Sequence, residues 1–356
     1  MGADRPCART VRIRVPATSA NLGSGFDTVG LALDYHDEIV FTRSDDPADT
    51  GVKVIIEGEG ADTLPRDETH LVVSAFRKAC QVFGLPRFGF LMTACNRIPQ
   101  ARGLGSSAEA IVAGISAAAA FAHPDGFSRD AVFDLAAQIE GHPDNVAPAV
   151  YGGLTVSYDL ITDEGVGSLP IAGGAPLTPG FHSLRYQVDP AIRATVFVPD
   201  FRLSTQKARQ ALPDRVPYTD AIHNLSRVAL IPGALNPSGM AGMGSGQFDG
   251  QGNLAARANA LLFAATQDRL HQPYRAGLMP PATDLIGLFR RHGYAAAVSG
   301  AGPCVIVLHY GDDASEELKT LAKGELDSGH WQVLQLDVDR DGVQVECDED
   351  GDLIGS

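Results

Sequence analysis

Residues 99–109 read Pro-Gln-Ala-Arg-Gly-Leu-Gly-Ser-Ser-Ala-Glu and run directly into an alanine-rich stretch, 110–122, that is typical of a helix. Glycines let backbone N–H groups approach a ligand closely, and a helix N-terminus carries free N–H donors with a partial positive charge. This combination favours a phosphate-binding site. No Gly-Lys-Ser/Thr sequence ends the loop, so it is not the usual P-loop. The alternative is a glycine-containing loop in which a serine simply caps the helix.

Two further glycine-rich segments lie near the two ends of the chain. One is Pro-Ala-Thr-Ser-Ala-Asn-Leu-Gly-Ser-Gly-Phe-Asp at 16–27, and the other is Val-Ser-Gly-Ala-Gly-Pro-Cys at 298–304. In this order the three segments resemble the signatures of the GHMP kinase superfamily, which includes galactokinases, homoserine kinases and mevalonate kinases. Each motif is several residues long, and the resemblance extends over about residues 10–335.

Within the superfamily, the segment at 16–27 looks most like that of homoserine kinases. So do Glu-Gly-His-Pro-Asp-Asn-Val-Ala-Pro at 140–148, Ser-Thr-Gln-Lys-Ala-Arg at 204–209 and His-Gln-Pro-Tyr-Arg at 271–275. The resemblance implies an ATP-dependent kinase. Its substrate would be L-homoserine, and its product O-phospho-L-homoserine, an intermediate of threonine biosynthesis.

The order of predicted strands and helices lacks strict β–α alternation, which favours an α+β architecture. The superfamily resemblance sharpens this to two domains, a ribosomal-S5-like N-terminal domain and a ferredoxin-like C-terminal domain. We place the ATP-binding domain at 10–175 and the second domain at 176–338. An acidic tail follows at 339–356.

Local patterns make further predictions along the chain. Alternation predicts a strand at 11–15, which the following glycines would turn into a loop. The stretch 160–185, rich in Gly, Pro and Thr, is interpreted as a loop near the domain boundary. The glycine-rich stretch 232–253 is interpreted as an insertion between helices, and 345–356 as a frayed end.

Composition restricts the classes of partner. The net charge of −15 disfavours binding to nucleic acid, which needs clustered basic residues. No apolar run approaches the roughly 20 residues of a membrane span, and the first ten residues have no signal-peptide core. Five scattered cysteines without metal-ligand spacing are interpreted as reduced thiols of a cytoplasmic protein. By family analogy we expect a homodimer.

Phosphoryl transfer needs a phosphate cradle, and a metal ion that prefers oxygen ligands. The resemblance implies that Mg²⁺ is bound by Ser107 and Glu140. It also implies an ATP site formed by the central and third motifs, with Arg102 as a possible phosphate contact: Pro99, Gln100, Ala101, Arg102, Gly103, Leu104, Gly105, Ser106, Ser107, Gly300 and Gly302. The third motif alone would also be read as a turn between strands.

Homoserine carries a carboxylate, an ammonium and a terminal hydroxyl. The resemblance assigns Arg209 and Arg275 to the carboxylate, a role that suits the bidentate guanidinium. Asn21 and Asp27 suit the ammonium, and His142 and Thr205 would surround the hydroxyl.

Asp144 is a candidate general base, with Asn145 beside it at the hydroxyl end. The alternative is that no strong base is needed, because a loose transition state is stabilised mainly by positioning and charge.

Two other functions stay open. A mevalonate-type kinase would share the phosphate loop, but mevalonate has no ammonium for Asp27 to bind. A catalytically inactive sensor would share the fold, but such proteins lose the metal ligand or the loop serines, and here Ser106, Ser107 and Glu140 are all present.

Overall fold

The computed structural model describes residues 8–123, 126, 128–163, 166–239, 254–312 and 314–348. These residues form two β-sheets flanked by helices. In chain order the strands are β1 (Thr10–Asn21), β2 (Gly25–Arg43), β3 (Val52–Gly58), β4 (Phe90–Asn96), β5 (Leu154–Leu160), β6 (Gly180–Tyr186), β7 (Ile192–Pro199), β8 (Ala295–Val298), β9 (Val305–Tyr310), β10 (Trp331–Asp337) and β11 (Gln344–Asp348).

The helices lie between these strands. They are α1 (Leu71–Val82), α2 (Ser106–Ala122), α3 (Arg129–Glu140), α4 (Val146–Tyr151), α5 (Thr205–Gln210), α6 (Tyr218–Val228), α7 (Ile231–Leu235), α8 (Leu254–Ala265), α9 (Gln272–Arg275), α10 (Pro280–Arg291), α11 (Ala314–Leu321) and α12 (Lys323–Asp327). Short 3₁₀ turns occur at Pro237–Gly239 and Ala276–Leu278. Among the described residues, no helix has both the length and the apolar character needed to cross a membrane.

The first sheet has seven strands in the order β11-β1-β2-β4-β3, and β5 joins β2 to β6. Strands β3 and β4 are parallel and are connected through α1, whereas the other pairs are antiparallel. The second sheet is antiparallel in the order β10-β7-β9-β8. With helices between β7 and β8 and between β9 and β10, that order is the one expected of a ferredoxin-like domain.

Three apolar clusters hold these layers together. The first lies between the seven-stranded sheet and α1, α2 and α3. The second packs the β1–β2 end of that sheet against one face of the four-stranded sheet and α8, so it joins the two halves of the chain. The third covers the other face of the four-stranded sheet with α10 and α11. Apolar burial is the main stabilising term in such layers.

The structure corrects three local predictions. Strand β1 does not stop at Val15 but continues to Asn21, within the first glycine motif, and the chain turns only at residues 22–24. Its pairing with β2 is irregular after Pro16 and after Ala20. The predicted loop at 160–185 ends in strand β6, which pairs with β5. Strand β6 lies at the edge of the sheet and its side chains are only partly buried, so its sequence has a weak apolar pattern. The strand was therefore not predicted.

The predicted frayed end also forms structure. Strand β11 pairs with β1, and Val343 just before it is fully buried. The strand is short, and acidic residues alternate with its few apolar ones, so the sequence pattern does not mark it as a strand. Residues 349–356, and residues 240–253 of the predicted insertion, lie outside the described residues.

Helices α1 and α2 approach each other so closely that a side chain at one contact would not fit. A Cβ atom at Gly114 would lie 2.4 Å from the Val72 carbonyl oxygen, and the neighbouring residues on α2 are mostly buried alanines. Small residues therefore set the spacing of this helix pair and fix the direction in which α2 points its N-terminus.

We expect Gly114→Ala to lower the free energy of unfolding by about 1–3 kcal/mol, because the new methyl group overpacks a backbone contact. The matched control is Gly287→Ala in α10, where the added Cβ meets only the far end of the Arg291 side chain. That variant should gain about 0.5–1 kcal/mol from helix propensity. Chemical denaturation of both variants checks the prediction, and equal effects would contradict it.

Candidate active site

The three glycine motifs meet in one hydrogen-bonded junction. The backbone N–H of Thr18 donates to Leu104 O at 3.1 Å, that of Gly300 donates to Ala20 O at 3.1 Å, and that of Cys304 donates to Arg102 O at 3.0 Å. The central loop is therefore held between strand β1 on one side and the third motif on the other. Segments that are far apart in sequence position the N-terminus of α2.

Two glycines of the central loop are required by close contacts. Gly103 and Gly105 have φ angles of 87° and 73°, which L side chains rarely adopt. A Cβ at Gly103 would lie 2.1 Å from Ser299 O, and one at Gly105 would lie 1.9 Å from Thr18 Oγ1. Gly105 is also the N-cap of α2, so the alternative of a serine cap does not apply.

A cavity of about 420 Å³ opens beside this junction. It is lined by residues from all the segments that the sequence singled out. The predicted residues that line it are Asn21, Asp27, Gln100, Ala101, Gly103, Gly105, Ser106, Ser107, Glu140, His142, Asp144, Asn145, Thr205, Arg209, Arg275, Gly300 and Gly302. Their placement in one cavity is established, whereas their individual roles stay predictions.

Three predicted ATP-site residues do not line the cavity. Leu104 and Pro99 are buried. The Arg102 guanidinium lies 3.6 Å from the Glu59 carboxylate and donates to Asp200 O at 3.3 Å. In this arrangement Arg102 links neighbouring segments of the protein.

Ser107 and Glu140 form an oxygen pair at one edge of the cavity. The Ser107 hydroxyl donates to Glu140 Oε2 at 2.8 Å. Ser107 lies in the first turn of α2, and Glu140 is the last residue of α3. Both α2 and α3 pack on the same face of the sheet, which brings these residues together across 33 positions in sequence.

The segment after α3 supplies a chain of polar contacts. His142 Nδ1 lies 2.9 Å from Asp144 Oδ1, and Asn145 Nδ2 donates to the same oxygen at 3.4 Å. Thr18 Oγ1 in turn donates to Asn145 Oδ1 at 2.9 Å. Burial opposes charging of the imidazole, but the hydrogen bond and charge of Asp144 together with the charge of Glu140 raise the pKa of His142.

At the opposite wall, Asp27 and Arg209 form a bidentate ion pair. Arg209 Nη1 and Nη2 donate to the two Asp27 oxygens at 2.8 and 2.9 Å, and this contact raises the pKa of Arg209. Each side chain is 37% exposed, so a molecule in the cavity can reach both.

Arg275 lies close to this ion pair and is almost fully buried. Its guanidinium packs over the Phe26 ring at 5.0 Å, and Nε donates to Ala208 O. Nη1 donates to His271 Nδ1 at 3.2 Å, and the other nitrogen of His271 contacts Gly23 O at 2.7 Å. The buried imidazole therefore holds the guanidinium in place.

Asn21 has both ends of its amide engaged by the protein. Nδ2 donates to Gly300 O at 2.8 Å, and Oδ1 accepts from the Asp27 backbone N–H at 2.9 Å. These contacts tie the first motif to the third and orient Asp27. Asn21 thus acts through Asp27, and direct contact with a bound ammonium stays a prediction.

Sequence reasoning assigned no role to three further residues that line the cavity. His70, Asp37 and Glu109 line it and are buried. Burial raises the pKa of Asp37 to about 6, although two backbone N–H groups oppose this, and burial beside Asp37 raises the pKa of Glu109. Glu109 ends the central segment without an assigned role, and His70 resembles an ordinary helix cap, which it also is in the structure. Only the fold shows that both residues line the cavity together with Asp37.

Comparisons with known proteins agree with this geometry. Residues 70–153 match the GHMP kinases N terminal domain, and 248–324 match GHMP kinases C terminal. The chain is 42% identical to a homoserine kinase of Clavibacter michiganensis, with 96% of each chain covered. It is 41% identical to a homoserine kinase of Streptomyces coelicolor, with 95% of each covered.

The chain belongs to the homoserine kinase family of GHMP kinases. Solved structures support the same fold. The homoserine kinase of Cytophaga hutchinsonii superposes with a TM-score of 0.74 at 22% identity, covering 97% of this chain and 100% of that one. A mevalonate kinase superposes with a TM-score of 0.60 at 15% identity, covering 93% and 99%. The two-domain fold expected from the glycine motifs is confirmed.

The Ser299 hydroxyl joins the third glycine motif to the other two. We expect this contact to contribute to the stability of the folded protein. It is fully buried, donates to Gly103 O at 2.6 Å and contacts Ser19 Oγ at 2.8 Å. Ser299→Ala should lower the free energy of unfolding by about 1–3 kcal/mol, because it leaves buried oxygens unpaired.

The control for this prediction is Ser116→Ala in α2. The Ser116 hydroxyl is equally buried but has no hydrogen-bond partner among the described residues. Its removal should be neutral or stabilising, since alanine is the better helix former. Thermal and chemical unfolding compare the two variants. A loss at Ser116 as large as that at Ser299 would contradict the assignment.

Proposed function

We propose that this protein transfers the γ-phosphoryl group of ATP to the side-chain hydroxyl of L-homoserine and so makes O-phospho-L-homoserine for threonine biosynthesis. The observation that carries the proposal is the pairing, in one cavity, of a phosphate loop with a wall that offers one carboxylate and two guanidinium groups. A zwitterionic amino acid needs just such a wall, and its side chain would then point towards the loop.

The phosphate end of ATP would bind at the start of α2. The first N–H groups of the helix have no intrahelical acceptor, and the glycines let phosphate oxygens come close to them. Because the chain is acidic overall, this local arrangement of N–H groups is what makes the site attractive to an anion.

Ser107 and Glu140 fit a Mg²⁺ ion. Their oxygens are already 2.8 Å apart and line the cavity, and hard oxygen donors are what this ion prefers. When bound together with ATP, the ion would neutralise charge on the phosphate oxygens. The role of Glu140 would then be to hold it, and that of Ser107 to complete the ligand set beside the loop.

The acceptor would bind at the opposite wall. Arg209 and Arg275 would take the carboxylate, and Asp27 would take the ammonium. In the structure Asp27 and Arg209 neutralise each other. A zwitterion can replace this pairing with two equivalent ones, so neither side chain is left buried without a partner. This pattern favours an amino acid over mevalonate, which has no cation.

Asp144 is the group that we propose as the proton acceptor for the homoserine hydroxyl. It is buried, it lines the cavity, and hydrogen bonds from His142 and Asn145 hold one of its oxygens. The other oxygen remains available to the substrate. Thr205, at the start of α5, would close this end of the site.

We expect Asp144→Asn to lower kcat by about 10²–10⁴-fold, with a smaller rise in the KM for homoserine, because the amide cannot accept the hydroxyl proton. Steady-state kinetics of the folded variant check this. Asp134→Asn, an exposed position on α3, is the control and should leave both constants unchanged. Near-normal kcat in Asp144→Asn would exclude the base and favour positioning alone.

We expect Glu140→Gln and Ser107→Ala to raise the Mg²⁺ concentration needed for half-maximal activity by at least about tenfold, since each removes one oxygen ligand. A titration of activity against Mg²⁺ at fixed ATP measures this directly. The exposed carboxylate of Glu57 provides the control variant Glu57→Gln, which should titrate like the wild type. If Glu140→Gln shows an unchanged Mg²⁺ requirement, these residues do not bind the metal.

The overall proposal is tested by an ADP-release assay with Mg-ATP and L-homoserine, run beside mevalonate, galactose and no acceptor. Turnover with homoserine alone supports it. Turnover with mevalonate would keep the kinase and remove the assignments of Asp27, Arg209 and Arg275. Folded protein that turns over no acceptor would favour an inactive sensor of the same fold.

We also propose that the protein is a cytoplasmic homodimer. This rests on its likeness to a family of biosynthetic enzymes. Light scattering coupled to size-exclusion chromatography would measure the mass in solution, and a monomer would contradict the dimer.

A further inference from the structure

Helix α9 carries Arg275 at its end, and two buried residues lie in the turn just before it. These residues are Asp268 and His271, and both of their side chains are fully buried. Arg275 lines the cavity, whereas neither of the two does. Any influence that they have on a bound molecule therefore passes through a neighbouring residue such as Arg275.

His271 contacts Arg275 through one ring nitrogen and the first glycine motif through the other. Nδ1 lies 3.2 Å from Arg275 Nη1, and Nε2 lies 2.7 Å from Gly23 O. A guanidinium can only donate and a carbonyl oxygen can only accept, so Nδ1 accepts and Nε2 carries the proton. Burial lowers the pKa of His271, although the charge of Asp268 opposes this, so the ring is neutral at neutral pH.

The protein contacts of Arg275 fix the plane of its guanidinium. Nη1 donates to His271 Nδ1, and Nε donates to Ala208 O at 3.2 Å. The guanidinium also lies over the Phe26 ring. Neither hydrogen bond uses Nη2, which leaves that nitrogen for a ligand. An arginine side chain held in this way has less conformational freedom to lose when a ligand binds.

Asp268 organises the turn that contains His271. Its Oδ1 accepts from the Leu270 backbone N–H at 2.8 Å. Its Oδ2 accepts from the backbone N–H groups of His271 and Gln272 at 3.1 and 2.7 Å. The side chain of His271, the N-cap residue of α9, makes no capping hydrogen bond. Asp268 therefore satisfies the free N–H groups at the start of α9 and fixes the backbone from which the imidazole projects.

Helix α6 also contacts this turn. Asn224 Nδ2 donates to Asp268 Oδ1 at 2.8 Å and to Ser24 O at 3.2 Å. Asn224 Oδ1 accepts from the Arg269 backbone N–H at 2.9 Å. Asp268 is thus held between α6 and the turn, and α6 is joined in the same place to the first glycine motif.

These contacts form one chain from Asp268 through His271 to Arg275. We propose that Asp268 and His271 are positioning residues for the acceptor: His271 holds the Arg275 guanidinium ready for a carboxylate, and Asp268 holds His271. This inference rests on the proposed binding of the homoserine carboxylate by Arg275. The alternative is that both residues only stabilise the turn and its contact with Gly23.

Two substitutions of His271 distinguish these roles. His271→Asn places an amide oxygen near the Nδ1 position, where it can accept from Arg275, but loses the bond to Gly23. His271→Gln places an amide N–H near the Nε2 position, where it can donate to Gly23 O, but loses the acceptor for Arg275. The pair therefore separates the contact with the guanidinium from the contact with the glycine motif.

We expect His271→Gln to raise the KM for L-homoserine at least about tenfold, because the guanidinium is no longer held in advance. Its kcat and its KM for ATP should change by less than about threefold, and His271→Asn should restore the KM for homoserine to within about threefold of the wild type. A purely structural role predicts the opposite order, since glutamine keeps the bond to Gly23. That order, or equal KM values in the two folded variants, would overturn the inference.

Asp268→Asn tests the other end of the chain. The amide turns an N–H towards backbone N–H groups, so the turn should loosen. We expect the KM for homoserine to rise at least about fivefold, together with a lower melting temperature. An unchanged KM in the folded variant would contradict the role of Asp268. If the variant does not fold, the comparison of the two His271 variants decides.

Asp189→Asn is the matched control for this substitution. Asp189 is also buried, and its side chain accepts from the Ala191 backbone N–H at 3.0 Å and from the Ser238 hydroxyl. It does not line the cavity. This variant should lose stability without a change in the KM for homoserine. A rise in KM as large as that of Asp268→Asn would show that the effect follows lost stability and not positioning.

Calorimetry of L-homoserine binding to the full chain separates the inference from the function on which it rests. Weaker binding to His271→Gln than to His271→Asn, in a protein that turns over no acceptor, would support the positioning and contradict the proposed kinase. A wild type that phosphorylates homoserine, with two variants that bind it equally, would contradict the inference alone. A wild type that neither binds nor phosphorylates homoserine would contradict both.

Discussion

The active-site geometry depends on one contact between backbones, where the central loop passes between strand β1 and the third glycine motif. At Gly103 the Ser299 backbone is nearer than a Cβ atom would permit, and at Gly105 the Thr18 hydroxyl is equally close. The Ser299 hydroxyl also donates a hydrogen bond to the Gly103 carbonyl oxygen. Because protein interiors are close-packed, such a contact fixes the loop more firmly than flexible side chains could. The contact fixes the point where α2 begins, and the packing of α2 on α1 fixes its direction.

This geometry resolves an electrostatic difficulty. A chain with a net charge of −15 repels a polyanion such as ATP. Arg102, the predicted phosphate contact, instead contacts the Glu59 carboxylate and the Asp200 carbonyl oxygen. In the proposed complex, the positive potential near the loop would come from oriented N–H groups and from a metal held by Ser107 and Glu140. Such dipoles are effective because they are fixed before the ligand arrives, and they are useful only at close range.

The sequence brought Ser107 and Glu140 together only through the family resemblance, because spacing alone does not predict their contact. The structure places the two side chains within hydrogen-bond distance, and their roles stay predictions. Strands β6 and β11 lie at sheet edges where side chains are only partly buried, and no local pattern marks such strands strongly. His70 and Glu109 were given no role for a different reason. Each has a buried polar atom without a hydrogen-bond partner among the described residues, and the burial of single atoms cannot be read from a sequence.

In the proposed function, the charged wall of the cavity selects its ligand through an ion pair that the protein already contains. At the acceptor wall, Asp27 and Arg209 satisfy each other before a substrate binds, so the protein bears little cost when this wall is empty. A ligand must then offer both charges to displace the pair, because a ligand with one charge leaves a partly buried ion unpaired. The ion pair would therefore penalise acceptors that carry a single charge.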